Sequence, residues 1–409
     1  MPPIHVTSEI KPLKKVMLHR PGKELLYLTP NRLEDLLFDD IPDLYKAQKE
    51  HDAFAQIFRQ NGTEVVYLEK LMAETLDAHP DLVEAFLDQY LREAGIYTQT
   101  YKKVLKNYFL AAKDHLDLVE KTMAGVPFSA LGEAEERLLV DEYDHRMGLA
   151  INPMPNLYFT RDPFSCMGRG VAINRMANET RRRETIYGDY IFRYHPDYAG
   201  QVPDYYGRRQ PFHLEGGDTL VISEDTLFIG ISLRTEPDAI QQLAMNLFFE
   251  DQDNAFERIY AFVIPSARAF MHLDTVFTMI DRDTFTYHPG ISETLRVFRL
   301  TPNRMKSKVE VQEFDGHLDQ ILADILGLDR VRLLPCGGGD PIAASREQWT
   351  DGSNTLAIAP NKVIVYGRNY VTNEVLREAG VELLVLDSDN LTVGRGGPRC
   401  MSMPFEREA

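Results

Sequence analysis

The stretch GDTLVISEDTLFIGIS (217–232) consists of two β-rich runs separated by a short polar turn. This pattern is typical of a β-hairpin, because Gly, Ser and Asp favour tight turns while Val, Ile and Phe favour extended chain. It recurs in DPFSCMGRGVAIN, from residue 162, and in NTLAIAPNKVIVYGR, from residue 354. The recurrence predicts a chain built from repeated, hairpin-based units.

A longer unit surrounds these hairpins. Five short strands end in a polar or basic residue, namely VMLHR (16–20), VAINR (171–175), LFIGIS (227–232), VFTMIDR (276–282) and VIVYGR (363–368). A helical pattern and a further strand follow in HDAFAQIFRQNGTEVVYLE (51–69), HLDQILADILGLDRVRLLP (317–335) and TNEVLREAGVELLVLD (372–387). We therefore predict an α/β protein in which five ββαβ units form a closed, pseudo-symmetric array with a central channel. An open mixed α/β sheet is the alternative that periodicity leaves open.

Residues 74–148 differ from the rest of the chain in their hydrophobic pattern, which is helical. Apolar side chains there follow the spacing of an amphipathic helix, at Leu82, Val83, Phe86, Leu87, Tyr90 and Leu91. Further helices are predicted at 101–118 and 133–144. The domain prediction is a helical insert at 74–148 within an α/β body formed by 1–73 and 149–409.

The composition is that of a soluble globular protein, with 409 residues, 44% hydrophobic residues and a formal charge of −17. Such a charge repels nucleic acids and anionic membranes and attracts a cationic substrate. Three scattered cysteines form neither a disulfide framework nor a metal clip. The N-terminal sequence lacks the apolar core of a secretory signal, and no apolar run spans a membrane, so a cytoplasmic protein is predicted.

Two segments combine a histidine with an acid two residues later. FHLEGGDTLVI contains His213 and Glu215, and MHLDTVFTMI contains His272 and Asp274. A strand period of two would place each pair on one face, so the pairs are predicted to converge on a common site. Structural hydrogen bonds and metal ligation are the alternatives.

Two further segments carry chemistry. LYFTRDPFSC (157–166) places Asp162 at the mouth of a hairpin, where a turn-capping role is the simpler interpretation. LTVGRGGPRCMSMP (391–404) surrounds Cys400 with two arginines and three glycines. Nearby cations lower the pKa of a thiol and favour the nucleophilic thiolate. Spacing alone does not choose Cys400 over Cys336, whose GGGD loop lacks the Lys-Ser/Thr of a phosphate-binding loop.

The motifs FTRDPF, HLEGGD, HLDT and GRGGPRCMSMP, in this order, resemble the signature of the arginine deiminase family, which belongs to the guanidine-modifying (pentein) superfamily. VMLHRPG near the start and the helical insert resemble that family too, so the resemblance covers essentially the whole chain. It implies a fivefold α/β propeller whose central channel hydrolyses L-arginine to L-citrulline and ammonia, without a metal or an organic cofactor.

The resemblance also implies roles for individual residues. Cys400 would attack the guanidinium carbon, His272 would be the general acid and base held by Glu215, and the carboxylates of Asp162 and Asp274 would bind the guanidinium nitrogens. A second set is expected to bind the rest of the substrate: Asn156, Phe159, Arg181, Arg234, Gly394 and Arg395. The choice of Arg181 among its neighbours in TRRRET stays open, and His213 is assigned a structural role.

Other functions remain to be separated from this one. Agmatine deiminases, dimethylarginine hydrolases and amidinotransferases use the same chemistry on related substrates. A metallohydrolase built on the His-x-acid pairs and a non-catalytic arginine-binding protein are the rivals from other classes. The resemblance further implies a homo-oligomer.

Overall fold

The computed structural model describes residues 2–131, 148–251, 253–267, 269–291, 295–314 and 316–409. The predicted helix at 133–144 lies outside these residues. The described strands are β1 (Leu13–Leu18), β2 (Glu64–Tyr67), β3 (Val126–Pro127), β4 (Leu149–Ile151), β5 (Phe164–Met167), β6 (Gly170–Ile173), β7 (Asp204–Tyr206), β8 (Thr219–Ser223), β9 (Thr226–Ile231), β10 (Arg258–Val263), β11 (Phe277–Asp281), β12 (Thr284–Tyr287), β13 (Arg296–Asn303), β14 (Lys308–Phe314), β15 (Arg332–Pro335), β16 (Leu356–Ala359), β17 (Lys362–Tyr366), β18 (Glu382–Leu386) and β19 (Met403–Arg407).

The described helices alternate with these strands. They are α1 (Leu44–Gln60), α2 (Leu68–Ala78), α3 (Leu82–Glu93), α4 (Gln99–Leu110), α5 (His115–Ala124), α6 (Glu179–Arg182), α7 (Thr185–Tyr194), α8 (Pro237–Met245), α9 (Leu273–Val276), α10 (Leu318–Leu326), α11 (Pro341–Gln348) and α12 (Tyr370–Glu378). None of the helices in the described ranges has the length and apolar character that a membrane span requires.

Five sheets share one topology, which makes the protein a mixed α/β fold. In spatial order they contain β19-β1-β2, β5-β6-β7, β8-β9-β10, β11-β12-β15 and β16-β17-β18. In each sheet the first two strands are antiparallel, and the third, which follows a helix, is parallel to the second. The ββαβ unit predicted from the sequence is therefore present five times, and the first sheet joins the two ends of the chain.

Two details of the sheets differ from the prediction or extend it. Four of the five quoted strands lie at the centre of their unit, but VFTMIDR forms the edge strand β11, and β12 takes the central place. The third sheet also gains the hairpin β13–β14, because β13 pairs antiparallel with β10. This pairing joins residues that are distant in sequence, so no local sequence pattern predicts it.

Helices α2–α5 form the helical segment predicted from the apolar spacing. The stretch predicted as one helix at 101–118 is two helices, because Asp114 accepts a hydrogen bond from the Asp117 N–H and caps the start of α5. The predicted domain boundary at residue 74 falls inside α2, and the division of the chain into an α/β body and a helical insert stays a prediction.

The helical segment and the second sheet share one hydrophobic core. Phe86 of α3 is fully buried, and its ring lies 5.3 Å from that of Tyr190 and 6.3 Å from that of Tyr187, both on α7. Replacing such a buried Phe by Ala typically costs about 3–5 kcal/mol of stability. Packing against α7 therefore fixes the helices to the α/β body.

Candidate active site

The predicted site residues lie in turns that directly precede the first strand of a sheet. Asp162 precedes β5, Glu215 precedes β8, His272 and Asp274 precede β11, and Cys400 precedes β19. Because the five units share one topology, equivalent turns bring these side chains together. Asp162, His272 and Cys400 line one cavity of about 390 Å³, whereas Glu215 and Asp274 are not among its lining residues. Its walls also include Asn156, Phe159, Arg181, Arg234, Gly394 and Arg395.

The two histidine–acid motifs meet through one contact, between the histidine of the second and the glutamate of the first. The His272 Nε2–H donates to Glu215 Oε2 over 2.8 Å, whereas His213 Nδ1 lies 3.4 Å from Glu236 and does not line the cavity. The expected alternation along a strand is wrong because neither pair is in a strand. Glu215 precedes a single 3₁₀ turn, and His272 lies at the start of the short helix α9.

The environment of His272 favours the imidazolium. Burial opposes the charge, but the nearby Asp162, the hydrogen-bonded Glu215 and Asp218 outweigh it and raise the His272 pKa to about 9. Burial likewise opposes ionisation of Glu215, but the Arg234 guanidinium and His272 lower its pKa to about 2. At neutral pH the site therefore holds a charged imidazolium–carboxylate pair.

Cys400 lies beside carboxylates. Its Sγ is 3.7 Å from Asp274 Oδ2, and the neighbouring Arg399 donates to that same oxygen over 2.8 Å. The sequence predicted that flanking arginines lower the thiol pKa, and this is wrong. Burial, Asp274 and Asp162 raise it well above its usual value, because Arg399 is neutralised by Glu9 and Asp274. The thiol is therefore protonated at neutral pH in the protein without substrate.

Asn354 ties the Cys400 turn to the Asp274 turn. Its Oδ1 accepts from the backbone N–H groups of Arg399 and Cys400, at 3.0 and 3.2 Å. Its Nδ2 donates to the Asp274 carbonyl over 2.9 Å. The sequence analysis missed Asn354, although its place just before β16 matches the other site residues. Cys336, the alternative nucleophile, is buried against Thr372 and does not line the cavity.

Asp162 has one hydrogen-bonded oxygen and one that lies 3.9 Å from His272 Nδ1 without a hydrogen bond. Its Oδ2 accepts from Arg181 Nη1 over 2.6 Å, whereas its buried Oδ1 has no hydrogen-bond partner among the described residues. Arg181 also pairs with Glu184 through Nε and Nη2. Of the three arginines in TRRRET, only Arg181 lines this cavity, while its two neighbours line another.

The remaining predicted residues also line the cavity. The Asn156 Nδ2 donates to the Leu36 carbonyl over 2.8 Å, which leaves its Oδ1 without a protein donor in the described chain. Arg234 Nη1 lies 3.6 Å from Glu215 Oε2. Arg234 has fewer ion pairs than Arg181, because this is its only ion pair with a described residue.

The loop that carries Arg395 is shaped by close packing. A Cβ at Gly396 would lie 2.2 Å from the Phe159 ring, so only glycine fits there. Arg395 itself has a left-handed backbone, with φ of 63°. Its guanidinium stacks 3.5 Å above the Trp349 ring centre, and its Nη1 lies 3.2 Å from Asp39 Oδ2.

Part of the site has the donor set of a metal centre. One potential ligand atom from each of Asp162, Glu215 and His272 lies within 4.8 Å of the others. A metal there would compete with the proton on His272 and with the guanidinium groups that already neutralise both carboxylates. The protonated imidazole and these guanidinium groups therefore oppose the binding of a divalent ion by the three ligands.

Comparisons with known structures give the fold class. The dimethylarginine dimethylaminohydrolase of Pseudomonas aeruginosa, solved with citrulline, matches with a TM-score of 0.52 at 16% identity, covering 96% of this chain and 99% of that one. An amidinotransferase of saxitoxin biosynthesis from Microseira wollei matches with a TM-score of 0.53 at 14% identity, covering 100% and 98%. The chain therefore has the mixed α/β fold of the guanidine-modifying, or pentein, proteins.

Sequence comparisons give the particular family. The model of the arginine deiminase family matches residues 34–407. The arginine deiminase of Treponema denticola is 52% identical over 405 residues, covering 99% of this chain and 98% of its own length. That of Streptococcus pyogenes is 53% identical over 409 residues, with the same coverage. This chain belongs to the arginine deiminase family.

Proposed function

We propose that the protein is an arginine deiminase, which hydrolyses L-arginine to L-citrulline and ammonia through a covalent adduct on Cys400. The observation that carries the proposal is one cavity in which a thiol, an imidazolium and two carboxylates surround space for a planar cation. Cys400, His272 and Asp162 line this cavity, and Asp274 lies 3.7 Å from the sulfur.

The substrate guanidinium provides what the empty site lacks. Its N–H groups are a planar fork that matches carboxylates on two edges. The unpartnered Oδ1 of Asp162 takes one edge and Asp274 the other, which holds the guanidinium carbon close to Cys400 Sγ. Burial raises the pKa of Asp274 even though Arg399 pairs with it, so the positive charge of the substrate further stabilises the ionised carboxylate.

Substrate binding also activates the nucleophile. The Cys400 thiol has a raised pKa in the empty site because it is buried among carboxylates. A bound guanidinium cation neutralises Asp162 and Asp274, which removes their opposition to a negative sulfur. The thiol therefore releases its proton to solvent once the substrate is bound, and in the free protein the protonated thiol is protected from oxidation.

The imidazole then carries protons in both half-reactions. The Cys400 thiolate attacks the guanidinium carbon, and the His272 imidazolium donates its proton to the departing nitrogen. The C–N bond breaks, ammonia leaves and an S-alkylthiouronium adduct remains. Neutral His272 next takes a proton from water, whose oxygen attacks the same carbon. The C–S bond breaks, the hydroxyl on the same carbon loses its proton to solvent, and citrulline leaves with the thiolate–imidazolium pair restored.

Recognition of the amino-acid end rests on the remaining cavity residues. Arg234 lines the cavity and has one ion pair, with Glu215, so it binds the substrate α-carboxylate in exchange for its weaker contacts with Asn178 and Met271. Arg181 assists while it holds Asp162 in place. Asn156 offers its Oδ1 to the α-amine, and the Phe159 ring covers the aliphatic chain. The Gly394–Arg395 loop closes the cavity, with Arg395 as the residue that moves.

We also propose a fold and an oligomeric state for the protein. Five units of one topology support a closed fivefold propeller with the cavity in its central channel, into which a helical segment is inserted at 74–148. Exposed apolar side chains such as Met305 and Tyr45 are compatible with the homo-oligomer expected from the sequence. The cytoplasmic location stays a prediction.

The proposal is tested by activity on three substrates. Citrulline and ammonia should form from arginine, while agmatine, which lacks the carboxylate, and N-methylated arginines should react at least about a hundredfold more slowly. Equal turnover of agmatine would point to an agmatine deiminase, and transfer of the amidino group to an added amine would point to an amidinotransferase.

The triad of Asp162, Glu215 and His272 supports one second candidate, a metallohydrolase. A chelator distinguishes the two functions. Full activity after exhaustive chelation, together with inactivation by a thiol-alkylating reagent and protection by arginine, supports the cysteine mechanism. Loss of activity on chelation and its recovery with one divalent metal would support the metal site.

A further inference from the structure

A second cavity, of about 220 Å³, is lined by an unusual number of cations. Its walls include five arginines and only two acids, as follows: Arg175, Arg182, Arg183, Arg208, Arg209, Glu93 and Glu179. The whole chain carries a formal charge of −17. A local excess of guanidinium groups in such a chain calls for a negative partner, because like charges in a confined space repel each other.

Protein groups satisfy only some of these arginines. Arg208 forms a bidentate pair with Glu93, with contacts of 2.8 and 2.6 Å. Arg183 donates only to neutral oxygens, those of Tyr90 and the Asn152 backbone. The one acid that neutralises an arginine here is therefore already used by Arg208.

The other arginines have donors to spare. Arg182 makes a single long hydrogen bond, 3.4 Å from its Nε to the Met176 carbonyl. The Arg175 side chain makes no hydrogen bond or ion pair within the described part of the chain, although its Nε is buried. Burial and the charges of Arg182 and Arg208 lower the Arg175 pKa, as expected where a counter-charge is missing. Arg209 lies exposed at the rim, also without an ion pair to a described residue.

We propose that this cavity binds a small phosphate-class anion. A tetrahedral dianion offers several strong acceptors, and the planar forks of Arg175, Arg182 and Arg209 match them while neutralising the charge. The cavity volume suits inorganic phosphate or the phosphate group of a small metabolite. The anion bound here takes no part in the chemical steps of the proposed deiminase reaction.

The cavity is connected to the proposed active site through the backbone. Asn174, in its wall, donates from Nδ2 to the Asp162 carbonyl over 2.7 Å. The Arg175 carbonyl accepts from the Leu214 N–H, next to Glu215. An anion bound by Arg175 would therefore lie next to the backbone segments that hold Asp162 and Glu215, two carboxylates of the proposed active site.

The test is calorimetric titration of the full-length protein with inorganic phosphate, at an ionic strength fixed with chloride. Saturable binding at a stoichiometry of one is expected, and the double variant Arg175→Gln/Arg182→Gln should lose at least about a hundredfold in affinity. Arg296→Gln, which removes an exposed arginine paired with Glu313, should bind like wild type. Arg234→Ala should also bind like wild type, which separates this site from the active site.

Retained arginine hydrolysis in phosphate-free buffer would show that the double variant is folded. If that variant does not fold, Arg209→Gln at the exposed rim should still weaken phosphate binding by about tenfold. A comparison of inorganic phosphate with glycerol 3-phosphate assigns the source of the anion by the tighter ligand. Heat signals equal to those of chloride alone, or unchanged binding by the double and the rim variants, would overturn the proposal.

Discussion

Arg399 Nη1 donates to Asp274 Oδ2 over 2.8 Å, directly beside the sulfur of Cys400. The opposite edge of the same guanidinium binds both oxygens of Glu9, at 3.0 and 3.1 Å. Arg399 is almost fully buried, with 1% of its surface exposed. Glu9, near the start of the chain, therefore fixes the orientation of a carboxylate in the proposed active site through one arginine.

This relationship predicts that Glu9→Gln is destabilising and slows catalysis. Removing one partner of a buried ion pair typically costs about 3–5 kcal/mol, and Arg399 would then pull on Asp274 alone. We expect the free energy of unfolding to fall by an amount of that order and kcat to fall about tenfold or more. KM should change less, because Glu9 does not line the cavity.

Glu224→Gln is the matched control, since Glu224 forms an exposed ion pair with Lys11 nearby in the fold. Exposed pairs contribute about 0–1 kcal/mol, so this variant should resemble wild type. A Glu9→Gln enzyme with the wild-type kcat and only a lower melting temperature would show that Glu9 is purely structural.

The pH profile tests the pair of His272 and Glu215. The imidazolium is present below a pKa of about 9 and is lost as the pH rises through that value, so activity should decline on the alkaline side near pH 9. Glu215→Gln removes a charge that raises the His272 pKa, and the alkaline limb of kcat/KM should then move to lower pH. Activity at neutral pH should drop roughly 10²- to 10⁴-fold.

Glu236→Gln provides the comparison, because Glu236 contacts His213 in a similar histidine–glutamate pair outside the cavity. Its pH profile should superimpose on that of wild type. An unshifted alkaline limb in Glu215→Gln would mean that another group controls it.

Arg234→Ala tests how the substrate carboxylate is recognised. A hydrogen bond to a charged group contributes about 1.5–3 kcal/mol, so KM for arginine should rise roughly 10- to 100-fold. Agmatine has no carboxylate to lose, and its kcat/KM should change far less, so the preference for arginine over agmatine should narrow. Steady-state kinetics on both substrates provide the measurement. An unchanged KM for arginine would remove Arg234 from the carboxylate site.

His51 in α1 predicts an acid-sensitive fold. It is fully buried, neither ring nitrogen has a hydrogen-bond partner among the described residues, and burial together with the charge of His19 lowers its pKa to about 3. The neutral ring contributes stability that is present above pH 6.5 and is lost as the pH falls toward 3. One such proton is equivalent to about 1.4 kcal/mol per pH unit.

His51→Leu removes both the proton site and the unpaired nitrogens. Its advantage over wild type in the free energy of unfolding, measured by urea titration, should therefore grow as the pH falls from 6 to 4. His317→Leu, at an exposed position, is the control and should show no such trend. A constant difference across this range would mean that His51 does not titrate with unfolding.

The sequence predicts the repeated unit well, because a hairpin and its following helix are local features. The runs from residues 162, 217 and 354 became β5–β6, β8–β9 and β16–β17. Local patterns do not predict which unit lies beside which, however. His272 and Glu215 come from consecutive units, so their contact follows from the arrangement of turns and not from the spacing within either motif.

Charge environments were harder to predict than positions. Arg399 stands next to Cys400 in sequence, which suggested a lowered thiol pKa. Its guanidinium instead adds little positive charge at the sulfur, because Glu9 and Asp274, both far away in the chain, neutralise it. Residues with ordinary neighbours in sequence, such as Asn354, acquire their importance in the same way, through contacts that only the folded chain creates.

The central claim is that Cys400 attacks the guanidinium of arginine. The direct measurement is citrulline formation from arginine by wild type, Cys400→Ala and Cys336→Ala, with denatured-protein mass spectra of each after rapid quenching. We predict citrulline from wild type and Cys336→Ala, a covalent adduct in both, and neither citrulline nor adduct from Cys400→Ala. Citrulline formation by Cys400→Ala at a rate comparable to wild type would contradict the mechanism.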